Sequence, residues 1–297
     1  MNKKILLILP LLFGAFATSC SKDPKTNPID NKEFFNKLNE VKEKAEELDN
    51  NNGIKLSVKQ SIETDMNLLG TSLRLIASVD ASSIVSGNKS FISEKAHARG
   101  DTLVDGENQK MDITQTNKFW SEANQDSIKL MLEATSTSSE KEDLSTNYNK
   151  KQMTILTASI DEDYYNDYLE DLKLNYSSFT LEEIETLKEE ILEHGNAGDF
   201  GYIQKGKTQV FTFESKVRTD DKNYAEIYYL IRFDGYFLTK FDASIENAFT
   251  DSEGNQTVLK ISNTINAEEY KKEIKLPPEK DFKKVDFLDF DDDLLTK

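Results

Sequence analysis

Alternation of apolar and polar residues is the feature that most constrains what this chain can fold into. Between Ile54 and Leu68 the even-numbered positions are mostly Ile, Leu, Val and Met, whereas the odd-numbered positions are Lys, Ser, Glu, Asp and Asn. Successive side chains of a β-strand point to opposite faces, so this pattern predicts a strand with one apolar and one wet face. The same period recurs over 73–81, 210–218, 224–233, 236–249 and 257–265.

Turn residues between the last of these segments indicate that neighbouring strands are antiparallel. Asp234-Gly235 separates two alternating runs, and Asp-Gly is a strong short-range signal for a β-hairpin. Asp105-Gly106 is a second such signal, placed after a strand predicted over 91–99. We therefore expect a sheet built from consecutive hairpins.

Two regions of the chain have helical periodicity instead. Phe34, Leu38, Val41 and Ala45 recur at helical spacing, and Asp30 before them is a candidate N-cap. Further on, 164–172 predicts a second helix, and a second capping box at Thr180 and Glu183 predicts that a third helix begins there.

The order of these elements predicts an α+β fold: a large curved antiparallel sheet with helices covering one face. We expect a single domain over 31–283, preceded by a polar tether at 20–30 and followed by an acidic tail at 284–297. Residues 135–152 are rich in Ser, Thr and Lys and poor in large apolar residues, which favours a mobile excursion from the sheet.

The amino terminus has the organisation of an export signal. Lys3 and Lys4 precede an apolar run over 5–17, which is too short to span a bilayer, so 1–19 reads as a signal peptide. Ala17-Thr18-Ser19-Cys20 resembles the lipobox of bacterial lipoproteins. The resemblance implies a diacylglyceryl thioether on Cys20, cleavage before it, and acylation of the new amino terminus. A plain secreted protein with a chance cysteine is the alternative.

Charge and composition exclude several classes of function. The predicted mature chain has 35 basic and 54 acidic residues, a net charge of −19, which disfavours binding to nucleic acid. Cys20 is the only cysteine and there are two histidines, so a disulfide framework and an all-Cys zinc site are excluded. The chain has no phosphate-binding loop, GxSxG or HExxH motif. We therefore expect a protein without enzymatic activity, cofactor or metal.

The element order also resembles a known family. A leading helix, a strand meander with one apolar face, a helical insertion, a second meander and a closing strand ending in Lys275-Leu276-Pro277-Pro278 are similar to half-barrel lipoproteins of the LolA/LppX type. The resemblance covers 31–283. It implies an incomplete barrel whose apolar cavity, in several members, holds acyl chains.

On this basis the sequence predicts a monomeric extracytoplasmic lipoprotein, held on a bacterial cell membrane or outer membrane through Cys20. Its predicted function is to bind a lipid, an acyl chain or another apolar small molecule in the sheet cavity. The alternative is an acidic surface lipoprotein with a solid core that acts as a structural or adhesin-like protein-interaction module. Candidate ligand-binding residues, which ordinary core packing would also explain, are Trp120, Tyr164, Tyr168, Phe237 and Phe241.

Overall fold

The structure is a computed structural model of the chain, and it describes residues 25–48, 52–68, 71–104, 107–140, 148–171, 176–193, 198–219 and 222–285. Cys20, the Asp105-Gly106 hairpin and the acidic tail from residue 286 onward lie outside these ranges. The predictions made for them are therefore not addressed by the structure.

Thirteen strands form one sheet, and three α-helices accompany it. The helices are α1 (Asn31–Glu46), α2 (Glu162–Asp171) and α3 (Tyr176–Glu193). The strands are β1 (Asn27–Ile29), β2 (Gly53–Leu68), β3 (Thr71–Ser86), β4 (Lys89–Val104), β5 (Glu107–Asn124), β6 (Ser127–Glu140), β7 (Tyr148–Ser159), β8 (Asp199–Lys205), β9 (Thr208–Arg218), β10 (Tyr224–Asp234), β11 (Phe237–Thr250), β12 (Gln256–Tyr270) and β13 (Lys283–Lys284).

Two antiparallel meanders make up the sheet. The strand order is β1-β8-β9-β10-β11-β12-β2-β3-β4-β5-β6-β7-β13, so the later meander lies beside the earlier one through the β12–β2 pair. Ile265 of β12 is opposite Val58 of β2, and the pairing extends over the whole of β12. Paired residues that are 189 to 217 positions apart in sequence thus form the centre of the sheet.

The predicted α+β class and half-barrel architecture are wrong, because the described chain is mainly β and its helices cover only part of one face. The predicted excursion over 135–152 is also largely strand: β6 continues to Glu140 and β7 begins at Tyr148. Ser and Thr side chains contribute little to a core, but their backbone groups complete the β6–β7 ladder, as in the Thr135–Lys151 pair. Composition alone therefore underestimated the length of these strands.

The main core lies between α1, α3 and one end of the sheet. Phe34 of α1 is fully buried, and its ring centroid lies 5.0 Å from that of Phe200 and 5.4 Å from that of Phe211. Edge-to-face aromatic contacts of this kind stabilise a core beyond the area that they bury. The predicted N-cap is confirmed, because the Glu33 amide donates to Asp30 Oδ1 over 2.8 Å.

The third helix begins one turn earlier than predicted, so Thr180 is not its N-cap. Thr180 is fully buried inside α3, where its hydroxyl donates to the Tyr176 carbonyl over 2.8 Å. The same oxygen accepts from the Leu238 amide of β11 over 3.2 Å. The capping-box prediction was wrong because this threonine joins the helix to the sheet.

The segment after β12 crosses the opposite face of the sheet. It pairs with β7 through β13, and Phe282 packs with Met131 and Ile155 in a second, smaller core. The closing strand predicted to reach Lys275–Pro278 ends earlier, at Tyr270.

The two ends of the sheet differ in whether helices pack on them. We call the end at which α1 and α3 pack, with the hairpin at Gly235, the helix end, and the other end, with the turn at 251–255, the open end. The predicted Asp234-Gly235 hairpin is confirmed, with Gly235 at φ +68°. Asn27 of β1 lies opposite Tyr202, so the chain enters the sheet from the helix end.

Candidate functional site

The predicted ligand-binding residues Phe237 and Phe241 lie on the helix-covered face, at the edge of the main core. The Phe237 ring lies 4.7 Å from the Tyr176 ring of α3, and the Phe241 ring lies 6.0 Å from the Tyr229 ring. Both are half-buried against the core cluster. Their contacts are those of side chains that attach a helix to a sheet.

Trp120 lies on the opposite face of the sheet. Its ring centroid lies 5.2 Å from that of Phe91 on the neighbouring strand and 6.3 Å from that of Phe282. It therefore belongs to the second core, beneath the C-terminal segment, with the whole sheet between it and Phe237.

The two tyrosines of α2 have different surroundings. The Tyr168 hydroxyl donates to Ser121 Oγ over 2.6 Å, and burial raises the pKa of Tyr168. Tyr164 is 46% exposed. Tyr168 thus fixes α2 to β5, while Tyr164 lies at the surface.

The prediction of a lipid-binding cavity in the sheet is accordingly wrong. The space beneath α1 and α3 is filled by buried aromatic residues, and the five predicted residues do not line one cavity. A cleft of about 450 Å³ beside Arg74 at the open end and one of about 370 Å³ beside Lys129 at the C-terminal segment have charged residues in their walls. None of the five predicted residues lines either cleft.

The helix-covered face continues toward the open end as a mainly apolar surface, of which Ile227 still packs against the main core. Strand register aligns its side chains in three rows across as many as seven strands, β10 to β5. We call these rows the open apolar face. The first row is Ile227, Ile245, Ile261, Ile62, Ala77, Ala98 and Ile113; the second is Ala225, Asn247, Leu259, Thr64, Leu75, Gly100 and Met111; the third is Phe249, Thr257, Met66, Leu73 and Thr102.

The open apolar face contains no charged side chain, in contrast to the surface behind it. The adjacent row on the opposite face places Glu246 beside Lys260 and Lys260 beside Glu63. Lys260 Nζ lies 2.9 Å from Glu246 Oε1, and Arg74 forms an ion pair with Glu63. One side of these strands is thus charged and hydrophilic, whereas the other side is mainly apolar.

Large apolar side chains at the margin of this face are exposed to solvent. Phe249 and Val217 are each 62% exposed, Leu68 is 42% exposed and Met111 is 36% exposed. Seven strands at about 4.8 Å spacing and three rows of side chains give a surface of about 500 Å². That is near the upper end for the largest apolar patch of a typical monomer, and such patches often mark interaction sites.

Glu190 of α3 lies beside Tyr229, where the main core meets the open apolar face. Burial, and then the charges of Glu182 and Glu190, raise the pKa of Glu183 to about 7. Burial and the neighbouring Glu190 also raise the pKa of Tyr229, whose neighbour two residues along the same face of β10 is Ile227. The border of this surface is therefore acidic.

Other candidate chemistry is sparse in the described part of the chain. His97 Nε2 lies 2.9 Å from Asp112 Oδ1, and both side chains are solvent-exposed. In the described ranges, no group of three or more His, Cys, Asp and Glu side chains could hold a metal ion. None of the described helices is long and apolar enough to cross a bilayer.

A sequence signal for the open apolar face was present. The strand β2 has 16 residues and a length of about 53 Å, whereas α1 also has 16 residues and spans only about 24 Å. Helices of this length leave part of the apolar side of such strands without cover. Sequence reasoning instead assumed that a cavity would enclose all of it.

Comparisons with known proteins establish no family. No family model and no curated protein matches the chain. Similar solved structures include the translocator domain of the autotransporter NalP from Neisseria meningitidis, with 8% identity, 79% of this chain and 95% of that chain covered, and a TM-score of 0.21.

Two further solved structures are of the same kind. Ail, the attachment invasion locus protein of Yersinia pestis, solved with a heparin analogue, has 5% identity, covers 73% of this chain and 99% of its own, and has a TM-score of 0.21. The β domain of the Bordetella autotransporter BrkA has 5% identity, covers 74% of this chain and 100% of its own, and has a TM-score of 0.22.

Proposed function

We propose that this protein is a lipid-anchored, non-enzymatic protein-interaction module on the outside of a bacterial membrane, with the open apolar face as its binding surface. The observation that carries the proposal is the exposure of large apolar side chains on a face without charges. A partner that removes this surface from water gains about 25 cal/mol for each Å² of apolar area buried. A surface of about 500 Å² supplies the apolar centre of an interface of standard size, about 800 Å² per partner.

The point at which the chain enters the sheet supports an orientation in which the open apolar face points away from the membrane. Asn27 is seven positions after Cys20, a distance of at most about 25 Å. Because β1 enters from the helix end, a lipid on Cys20 holds that end near the membrane. The open end, with the exposed Phe249 and Val217, is then the part of the described sheet that extends farthest from the bilayer.

Site-specific photo-cross-linking in intact producing cells tests the proposal. A benzophenone amino acid in place of Phe249 samples the open apolar face. The matched control is the same replacement at Leu103, which is 40% exposed and lies on the opposite face. We expect a protein adduct of one size from position 249 that is absent from position 103 and is lost when Val217→Asp is added.

Three outcomes would contradict the proposal. They are adducts with lipid alone, equal adducts from both positions, or no adduct at position 249 in cells that hold the protein at its native level.

A further inference from the structure

The open apolar face and the acidic border beside it together indicate the chemistry of the partner. Resting on the function proposed above, we infer that the open apolar face binds a basic amphipathic α-helix of a partner protein, seated beside α3. The apolar stripe of that helix contacts the three rows of side chains, and its Lys or Arg side chains face the carboxylates of α3.

Shape is the first reason for a helix. An apolar sheet face is covered either by helices or by a second sheet, and the helix end of this same face is already covered by helices. The stripe of Phe34, Leu38, Val41 and Ala45 shows which spacing fits there. Seven strands measure about 29 Å across, the length of a helix of about 19 residues.

Charge is the second reason, and it is independent of shape. Helices α2 and α3 together carry eleven acidic residues and one basic residue, Lys188, so the helical layer repels an acidic partner. Glu190 lies beside Tyr229, where this layer meets the open apolar face, and Glu183 lies near Glu190 on the same helix. A lysine or arginine in a partly desolvated position there gains more from these carboxylates than it would in water.

The strong negative charge of the chain also disfavours a second copy as the occupant. Two chains of net charge −19 repel each other, and two facing copies would bring their acidic helices closer together. A basic segment neutralises the same charges, so it is the occupant that both shape and charge favour.

Binding of two synthetic 19-residue helical peptides to the full mature chain, held in phosphatidylcholine nanodiscs, tests the inference. Both peptides carry the same Leu/Phe stripe, and their flanks are Lys in one and Glu in the other. We expect the Lys-flanked peptide to bind at least tenfold more tightly by fluorescence anisotropy, with empty nanodiscs as the blank.

Variants assign the binding to this surface. Phe249→Ser combined with Val217→Ser changes two exposed side chains and should weaken binding of the Lys-flanked peptide at least tenfold, whereas Leu103→Ser on the opposite face should not. Glu183→Gln combined with Glu190→Gln should reduce the preference for Lys flanks over Glu flanks. Circular dichroism of each variant verifies that it is folded.

Equal binding of the two peptides, binding of neither, or a dimer of the full chain that Phe249→Ser dissociates would overturn the inference. If a protein adduct still forms at position 249 in cells, the proposed function stands and only the helix is wrong. If no adduct forms there, the proposed function itself fails, whatever the peptides do.

Discussion

At the scale of single residues, Phe34 and Phe249 show how differently one side chain type is used in this fold. Phe34 is fully buried among aromatic rings of the main core, whereas Phe249 is 62% exposed on the open apolar face. Both stand in regular apolar patterns of the sequence. Their burial, and therefore their contribution to stability, depends on which other segments of the chain pack against them.

Truncation of these two phenylalanines should have very different effects. Phe34→Ala should lower the free energy of unfolding by about 3–5 kcal/mol, because it removes a buried ring and leaves a cavity. Phe249→Ala should change it by no more than about 0.5 kcal/mol, as an exposed substitution does. Urea denaturation of both variants measures this, and a similar loss for both would mean that Phe249 is covered in the native protein.

The carboxyl group of Glu183 should make stability depend on pH. Its pKa rises from an ordinary 4.5 to about 7 on folding, so the folded protein holds a proton there that the unfolded chain has released between these values. The contribution of this group to stability is therefore full below pH 4.5, falls as the pH rises from 4.5 to 7, and is absent above pH 7. At 1.36 kcal/mol per pKa unit the loss is at most about 3 kcal/mol.

Glu183→Gln removes this group and should stabilise the protein at pH 8 but not at pH 4.5. Urea denaturation at the two pH values measures the difference. The matched control is Glu182→Gln, an exposed neighbour on the same helix, for which we expect a change within about 0.5 kcal/mol. A Glu183→Gln protein that is no more stable than the wild type at pH 8 would show that ionisation of Glu183 does not destabilise the folded protein.

At the scale of elements, the helices and the C-terminal segment cover opposite faces of the sheet. Helices α1 and α3 bury the aromatic residues of β8–β11, while the segment after β12 covers Met131 and Ile155 from the other side. The segment is held by a two-residue parallel strand, the amide of Val285 donating to the Ile155 carbonyl over 3.1 Å, and by Phe282. A short strand of this kind depends on its apolar contact.

Phe282→Ala should release this segment, and Trp120 reports the change because it is the only tryptophan. We expect the fluorescence emission of Trp120 to shift to longer wavelength and its quenching by acrylamide to increase, because water then reaches the indole ring. Phe249→Ala, on the other face, should leave both unchanged. An unaltered emission spectrum in Phe282→Ala would show that the segment is held without this ring.

At the scale of the whole molecule, the point at which β1 enters the sheet and the open apolar face lie at opposite ends of one long sheet. The chain enters at the helix end through β1, while the exposed side chains gather at the open end. Lipid anchoring would thus set the orientation in which the binding face meets a partner. Two or more acyl chains are needed to hold a soluble domain stably at a membrane.

Cys20→Ser should abolish acylation, because serine cannot form the thioether that the lipobox resemblance implies. Labelled palmitate should enter the wild-type protein and not the Cys20→Ser protein, as read from gel autoradiography. Ser19→Ala, one residue earlier, should keep the label. Absence of label from the wild type, or equal label in the Cys20→Ser protein, would contradict the lipid anchor.

Local patterns were sufficient to predict most individual elements. The strands at 54–68 and in the last third, the Asp234-Gly235 hairpin and the Asp30 cap depend on neighbouring residues, and all were predicted correctly. The start of α3 was not, because Thr180 matches a capping pattern and yet hydrogen-bonds to β11. The continuation of β6 and β7 through a Ser/Thr-rich stretch was also missed, since their pairing depends on each other.

The candidate site was predicted less well than the elements that form it. The alternation marked one side of β2, β3, β10, β11 and β12 as mainly apolar, but it could not show that α1 and α3 cover only the helix end. Trp120 and Phe237 were assigned to one cavity because sequence does not reveal which face of the sheet meets which covering segment. The carboxylates at the border carry no local signal, since Glu183 in sequence looks like a capping residue.

The sequence by itself determined the strands, their hairpins and the side of each strand that avoids water, because these depend on side chains a few residues apart. Only the tertiary structure decided that the two meanders join at β2 and β12, and that the helices cover one end of the shared apolar face. The physical reason is that the covering of the sheet by helices depends on contacts between distant segments. The lengths and packing of those segments cannot be read from a local sequence pattern. That incomplete cover leaves Phe249 and its neighbours in water, where a partner can reach them.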